Sequence, residues 1–123
     1  MIAIDTNSPV AIYEQIKGGF RGLVRRGVLK PGDTVTSIRS LAETLVVNPN
    51  TVARAFRELV QEGTLETRRG EGHVVAAGAV AVAKDSLSDA QAALEEALRQ
   101  ARRAGLNWKD IDAAQGAVKG GER

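Results

Sequence analysis

The amino-acid sequence predicts a mostly α-helical protein with one small β-hairpin, divided into residues 1–78 and residues 79–123. Three observations predict this architecture. Residues 48–63 carry helix caps at both ends and follow a shorter capped helix after a brief turn. An alternating run with threonines comes directly afterwards and predicts the hairpin. Two amphipathic stretches near the C-terminus then predict a pair of helices.

The composition limits the kind of protein that this can be. A chain of 123 residues has room for one modest domain and an accessory element. Aromatic residues make up only 3% of the chain, so the core must be aliphatic. The lack of cysteine excludes disulfides and thiolate metal sites. No apolar run approaches the ~20 residues that span a bilayer and no signal pattern opens the chain, so we expect a cytoplasmic protein with no membrane partner.

The charge is small overall but unevenly distributed. The net charge is +2, and residues 1–78 hold ten Lys/Arg against eight Asp/Glu, while residues 79–123 hold seven of each. Eight of the ten cations in the first part are arginine. Because arginine binds phosphate and guanine in a bidentate way, this excess is a weak indication of nucleic acid as a partner.

The first helix is expected to begin at Pro9, with Asn7 or Ser8 as its cap, and to end at Gly27. Its apolar stripe consists of Ile12, Ile16, Phe20 and Leu23. The glycines inside it are Gly18, Gly19 and Gly22. Since each glycine costs up to ~1 kcal/mol relative to alanine, packing must hold this helix together.

A turn at residues 30–33 and an extended piece at residues 34–36 lead to the second helix. Ser37 caps this brief helix, which runs to residue 45. Residues 46–48 form the turn into the next helix. Two helices joined by so short a turn follow the helix-turn-helix plan.

The third helix is the best-defined element of the sequence. Asn48 is its N-cap, Pro49 takes the first helical position and Gly63 is a left-handed C-cap. Its buried positions are Val52, Ala55, Phe56 and Leu59. Its outward side carries Asn50, Arg54, Arg57 and Gln61, with Thr51 and Glu58 at the margin.

A hairpin follows, with strands at residues 64–68 and 73–77 and a turn at residues 69–72. Its tip is basic and rich in glycine. A helix, a helix-turn-helix and then a hairpin make up a winged-helix domain, in which the hairpin is the wing. The wing groups expected to reach DNA phosphate or the minor groove are Arg68, Arg69 and the amides of Gly70 and Gly72.

The C-terminal part begins with residues 78–85, which we interpret as a linker of small residues. Ser86 or Ser88 then caps a helix that ends at Gly105, and Asn107 begins a last helix with Asp110. The stripe of the first of these helices is Leu87, Leu94, Leu98 and Ala101. Trp108, Ile111 and Val118 are expected to face inward from the second.

Two such helices are too small to bury a core alone, so their stripes need another surface. Either they fold back on the winged helix, or they meet the same pair from a second chain. We favour a homodimer, because a DNA reader commonly doubles its module over a two-fold site. The dimerisation residues would be Leu87, Leu94, Leu98, Trp108 and Ile111.

The outward side of the third helix predicts double-stranded DNA as the partner. Arginine, asparagine and glutamine match the edges of guanine and adenine in the major groove. Arg54 lies in the middle of this side and is the first candidate for base contact. Asn50 and Thr51 lie nearer the helix N-terminus, which favours phosphate.

Several of these side chains also have ordinary interpretations. Arg39, at the start of the second helix, either contacts DNA or pairs with Glu43 one turn on. Arg57 either contacts the DNA backbone or pairs with Gln61 or Glu58. Glu58 itself either accepts a hydrogen bond from cytosine or is a solvated carboxylate.

Other classes of function find less support. An interaction module, with the winged helix as a docking surface, remains the alternative. We find no paired carboxylates with a basic partner, no phosphate loop and no nucleophile with a base, so no catalytic site and no cofactor are predicted. His73 is the lone histidine, so no metal site is predicted, and contact at the wing or simple exposure is expected.

Five blocks of this sequence resemble the GntR family of bacterial transcription regulators. They are PVAIYEQI at 9–16, GVLKPGD at 27–33, SIRSLA at 37–42, NPNTVARAF at 48–56 with Gly63, and GEGHV at 70–74. The resemblance covers about residues 5–77, and the short two-helix tail is similar in length and architecture to the YtrA-like subfamily. It implies a homodimeric winged-helix repressor that binds an inverted repeat, with no large effector domain. A small-molecule effector at the dimer interface is possible.

The resemblance also implies which residues contact DNA. Arg39 matches a family arginine that contacts DNA, the start of the recognition helix corresponds to Asn48, Asn50, Thr51 and Arg54, and the wing-tip glycines correspond to Gly70 and Gly72, with His73 just after. With Ser37, Arg57, Arg68 and Arg69, these make twelve residues expected to contact DNA. Three positions depart from the family pattern. Val35 and Thr36 replace the usual leucine and proline, Val46 replaces a glycine common in the helix-turn-helix corner, and His73 stands where threonine is frequent. Val46 carries a β-branched cost if that corner needs a positive φ.

Overall fold

A computed structural model describes residues 2–121. It consists of helices packed around one small hairpin. In order along the chain the elements are α1 Ile12–Arg25, α2 Ile38–Leu45, α3 Pro49–Glu62, β1 Leu65–Arg68, β2 Gly72–Val75, α4 Ala79–Arg103 and α5 Trp108–Gly121. The predicted fold class, a winged helix-turn-helix followed by two helices, is confirmed.

The first helix begins later than the sequence predicts. Helix α1 starts at Ile12 rather than Pro9, and its N-cap residue makes no side-chain capping bond. One of the two candidate caps, Ser8, serves the preceding turn instead, where its hydroxyl accepts from the Val10 amide at 3.1 Å. The Gln15 amide group donates to the carbonyls of Asp5 and Val10, both at 2.9 Å, and so holds the N-terminal arm against α1.

Both helices of the helix-turn-helix begin at their predicted caps. The Ser37 hydroxyl accepts from the Ser40 amide at 3.0 Å, and the Asn48 side chain accepts from the Asn50 amide at 2.8 Å. Gly63 ends α3 with φ 90°. Val46 ends α2 in the left-handed region, with φ 57° and ψ 53°, as the family glycine at that corner indicated.

The core lies where α1, α2, α3, the hairpin and the start of α4 meet. Phe20 of α1 packs its ring edge-on against Phe56 of α3, with centroids 5.4 Å apart. The fully buried side chains around this pair include Ile16, Val52, Leu59, Leu65, Val74 and Val75. Apart from two phenylalanines the core is aliphatic, as the composition indicated.

The wing is tied to the body of the domain by a third extended segment. Strands β1 and β2 pair antiparallel, from Leu65 opposite Val75 to Arg68 opposite Gly72. Residues 33–35 add to the free edge of β2, with Thr34 bridging Val74 and the Val35 amide donating to the His73 carbonyl at 3.0 Å. The sequence indicated an extended piece here but not this pairing.

The linker predicted at residues 78–85 is wrong, because α4 begins at Ala79 and Ser86 and Ser88 lie inside it. Ala79 and Ala83 are buried in the core of the winged helix, where their small side chains allow α4 to approach α1 closely. The helix is therefore held at its start by tertiary packing rather than by a side-chain cap. The start of α4 belongs to the core, and the helix then continues outward without a break.

The last helix begins as predicted but does not bury its apolar side in the single chain. The Asn107 and Asp110 side chains cap each other's amides at 2.8 and 2.9 Å. Trp108 is 59% exposed and Val118 62% exposed, so neither faces the interior of one chain. Leu87 and Leu94 on α4 are also more than half exposed, whereas Leu98 and Ile111 are half-buried.

Candidate nucleic-acid interface

Three elements provide the polar groups of the candidate surface: the start of α2, the outward side of α3 and the wing. Of the twelve residues predicted to contact DNA, Thr51 and His73 are half-buried. The exposed ones are Ser37, Arg39, Asn48, Asn50, Arg54, Arg57, Arg68, Arg69, Gly70 and Gly72. The structure therefore leaves the predicted polar groups open to a ligand.

Two of the residues predicted to contact DNA, Ser37 and Asn48, also cap the N-termini of α2 and α3. Ser37 and Asn48 use their side-chain oxygens as N-caps, so these oxygens are already engaged. The remaining free amides at the starts of α2 and α3 carry the positive end of each helix dipole, which favours a bound phosphate. Their capping aligns these amides, and contact through the side chains themselves stays a prediction.

Three arginines of this surface, Arg39, Arg54 and Arg68, are paired to carboxylates of their own element. Arg39 lies 3.7 Å from Glu43, as one of its two interpretations held. Arg68 lies 2.7 Å from Glu66 on the wing. Exposed pairs of this kind contribute little to stability, so a DNA phosphate can replace the carboxylate at small cost.

Arg57 and Arg69 differ from these three arginines. Within residues 2–121 neither has a carboxylate oxygen within 4 Å, and both are exposed. Arg57 lines a cleft of about 340 Å³ between α3 and the wing, together with Gln61, Thr67 and His73. It therefore does not pair with Glu58, and its guanidinium stands free beside the wing.

Arg54 leaves the outward side of α3 and turns towards α1. Its guanidinium carbon lies 3.7 Å from the centroid of the Tyr13 ring, and its Nε donates to Glu58 at 3.0 Å. The hydrogen bond to Glu58 raises the pKa of Arg54. The side chain remains 52% exposed, so it is held in place without being buried.

Glu58 is neither a solvated carboxylate nor free to accept from cytosine, because it joins α3 to α1. The Lys17 ammonium donates to it at 2.8 Å. Hydrogen bonds from Lys17 and then from Arg54 lower the pKa of Glu58. Burial acts to lower the pKa of Lys17, but the bond to Glu58 and the charge of Glu14 outweigh it, so that pKa is raised.

A second ion pair lies one turn further along α3. Arg21 donates to both carboxylate oxygens of Glu62, with Nε at 2.7 Å, and Thr64 donates to the same carboxylate at 2.8 Å. Burial acts to raise the pKa of Glu62, yet the bonds from Arg21 and Thr64 lower it on balance. The partners lie 41 residues apart in the chain, so no local sequence signal reveals them.

His73 has a structural contact that the sequence did not indicate. Its ring meets the Phe56 ring edge-on at 4.9 Å, at the base of the wing. Among the described residues no three His, Cys, Asp or Glu side chains are grouped so as to hold a metal ion. Likewise, none of the helices within residues 2–121 has the length and apolar character to cross a bilayer.

Sequence comparisons identify similar proteins over the whole chain. The profile of bacterial regulatory proteins of the gntR family matches residues 12–75. The HTH-type transcriptional repressor YtrA of Bacillus subtilis (strain 168) is 37% identical over 131 aligned positions, which cover 100% of this chain and 98% of that protein. This similarity therefore extends through the two C-terminal helices.

Solved structures show the same architecture. A GntR family transcriptional regulator from Listeria monocytogenes superposes with a TM-score of 0.67 and 27% identity, covering 94% of this chain and 99% of that one. AraR(DBD) in complex with operator ORX1 has a TM-score of 0.52 and 25% identity, covering 55% of this chain and 81% of that one. The latter holds DNA on a domain similar in fold.

Proposed function

The chain belongs to the GntR family of bacterial regulatory proteins and is a transcriptional regulator with a DNA-binding domain, and we propose that it acts as a homodimeric repressor on an inverted-repeat operator. The family and the relatives compared are transcription regulators rather than enzymes. That YtrA is named a repressor supports the direction of regulation. A dimer bound at its operator acts most simply by blocking polymerase.

The DNA contact is proposed to run through α3 in the major groove and residues 68–73 of the wing beside it. The observation that carries this proposal is the free guanidinium of Arg57, which stands on the outward side of α3 next to the wing. The capped starts of α2 and α3 would take phosphates at either side. Arg39, Arg68 and Arg69 add exchangeable positive charge around them.

The dimer is proposed to form through residues 79–123, beyond the first turns of α4. Leu87, Leu94 and Trp108 are each more than half exposed in one chain. The fold-back alternative would cover these side chains with the winged helix. In the single chain they stay more than half exposed, although Leu87 lines a cleft with Arg25 of α1 and Ala117 at the end of α5 lies beside Pro9 of the N-terminal arm. A second copy would bury the stripes of both helix pairs at once.

Selection of bound DNA fragments, with the complex sized at moderate salt, tests this proposal. We expect enrichment of an inverted repeat by a complex that contains two chains. A random pool that shows no enrichment, with binding that disappears as salt rises, would leave only the phosphate interaction. In that case the winged helix is better interpreted as a docking surface for another protein.

A further inference from the structure

We infer that Tyr13 is a positioning residue that holds Arg54 as an anchor for a DNA phosphate, while Arg57 contacts a base edge. This inference rests on the proposed function and assigns different tasks to two arginines of the same helix. It also reverses the order that the sequence suggests, in which Arg54 is the first candidate for base contact. The two side chains differ in direction, in partners and in freedom of movement.

The guanidinium of Arg54 is fixed from two sides. The Tyr13 ring lies beneath it at 3.7 Å, a separation at which the ring face attracts a cation. The Glu58 carboxylate accepts from its Nε at 3.0 Å. Within residues 2–121 its two terminal nitrogens donate to no acceptor, so the edge opposite Nε is left to bind a ligand.

Glu58 is itself held, so this arrangement is not a loose surface pair. The Lys17 ammonium, which is 10% exposed, donates to the other oxygen of Glu58 at 2.8 Å. Lys17 and Tyr13 both belong to α1, and Arg54 and Glu58 both belong to α3. The position of Arg54 is therefore set by the packing of two helices, which lowers the conformational entropy that it loses on binding.

The direction of Arg54 favours phosphate over bases. Its side chain turns to the α1 side of α3, away from the cleft between α3 and the wing where Arg57 and Gln61 lie. A guanidinium at the margin of a reading helix meets the sugar–phosphate backbone, whereas one in the middle faces the groove floor. Arg57 instead lines the cleft between α3 and the wing, and no carboxylate within residues 2–121 holds it away from the groove.

The test compares binding of the selected operator and of a scrambled duplex across a salt series. Arg54→Ala is expected to lower the affinity for both duplexes by a similar factor, about 10- to 100-fold for a dimer. The slope of log K against log salt should shrink by about 2, since each lost phosphate contact contributes ~0.9 and a dimer has two. Arg57→Ala should instead weaken the operator far more than the scrambled duplex.

Tyr13→Leu tests the positioning role, with Tyr13→Phe as its matched control. Removing the ring should weaken both duplexes by about 3- to 10-fold, because Arg54 is then free to move. Tyr13→Phe keeps the ring face and should retain wild-type binding. In the Arg54→Ala background, Tyr13→Leu should have no further effect on affinity, which a purely structural role of the ring would not produce.

The outcomes separate this inference from the proposed function. If the wild-type protein selects an operator but Tyr13→Leu binds it normally, the positioning role is wrong and the function stands. The positioning role is also wrong if Tyr13→Leu lowers DNA affinity by the same factor in the wild-type protein and in the Arg54→Ala variant. If the wild-type protein selects no operator, the proposed function itself fails. A thermal unfolding curve for each variant confirms that the folded protein is being compared.

Discussion

Val46 occupies the one backbone site of the helix-turn-helix that its side chain disfavours. Among residues 2–121 it is the single non-glycine residue with positive φ, and its side chain is 88% exposed. A left-handed conformation costs a residue with a Cβ roughly 1–2 kcal/mol, and the exposed side chain regains little of this through packing. The strain lies two residues before the cap of α3, so it is stored next to the helix proposed to contact DNA.

Replacing Val46 with glycine should stabilise the protein. Val46→Gly removes the left-handed strain and adds the chain entropy of glycine, which leaves a net gain of about 1 kcal/mol in the free energy of unfolding. Denaturant unfolding at neutral pH measures this. Val28→Gly is the control, because Val28 is also more than half exposed but has no positive φ, and it should lower stability. A loss at both positions would show that Val46 is not strained.

The glycines of α1 differ in what surrounds them. A Cβ built at Gly18 would meet nothing within 4 Å, whereas one at Gly19 would lie 3.0 Å from the Ile2 side chain. Gly19 is therefore where the N-terminal arm approaches the helix. The sequence predicted that packing must hold this helix together, and at Gly19 the packing group is the arm.

Alanine at these two positions should therefore act differently. Gly18→Ala is expected to raise stability by about 0.5–1 kcal/mol, because alanine is the better helix former and the space is open. Gly19→Ala should gain less or lose stability, since the arm must shift from its contact with α1. Paired unfolding curves make the comparison, and an equal gain at both sites would mean that the arm does not pack there.

At the scale of elements, the sequence predicted those that carry their own signals. Helices α2 and α3 have capping side chains and a terminal left-handed residue, and the wing has positive-φ glycines at residues 70 and 72. These signals act within a few residues and can be found without the fold. The start of α4 carries none, because it is held by the burial of Ala79 and Ala83.

The same distinction applies to the candidate interface. The exposed polar side of α3 follows from its helical period, so its members were predictable. The direction of Arg54 was not, because it depends on Tyr13, which lies on another helix. Pairs such as Arg21 with Glu62 are specified by packing between elements distant in sequence.

The ion pairs between α1 and α3 should give stability an acid limit. The lowered pKa values of Glu58 and Glu62 mean that their contribution is complete above their ordinary value of 4.5. It is lost as pH falls through the lowered values. The raised pKa of Lys17 gives a contribution that is complete below 10.5 and is lost as pH rises through the higher value.

Glu62→Gln tests this limit. We expect it to cost about 1–2 kcal/mol at neutral pH, because Arg21 loses its charged partner, and to flatten the loss of stability below about pH 4.5. Thermal midpoints measured from pH 3 to 8 report both effects. Glu66→Gln, which removes the partner of the exposed Arg68, is the control and should change neither. If the thermal midpoint of Glu62→Gln falls with decreasing pH as steeply as that of the wild-type protein, Glu62 is not the group that limits stability in acid.

At the scale of the whole molecule, α4 connects the DNA-binding core to the proposed dimer arm. It begins in the core at Ala79 and runs without a break to Arg103, a length of about 37 Å at 1.5 Å per residue. A continuous helix transmits orientation, whereas a flexible linker would not. The spacing of the two half-sites should therefore be set by the packing of the C-terminal helices.

Leu94→Gln should separate the two chains. Burying Leu94 in a dimer contributes about 2 kcal/mol, and a symmetric dimer contains it twice. Since tenfold in affinity is 1.4 kcal/mol, the dimer dissociation constant should rise roughly 100- to 1,000-fold. Sedimentation over a concentration series measures this constant. At protein concentrations below this dissociation constant, operator affinity should fall in parallel, because two separate chains then bind the two half-sites independently.

Ala92→Gln is the matched control, since it introduces the same side chain at an exposed position of α4 away from the Leu87–Leu94 stripe. It should leave the dimer and the operator affinity unchanged. A wild-type chain that sediments as a monomer, or a Leu94→Gln variant that remains a dimer, would contradict the dimer interface proposed for α4 and α5. A variant that dissociates but keeps full operator affinity would instead show that one winged helix suffices for recognition, and the inverted repeat would lose its physical basis.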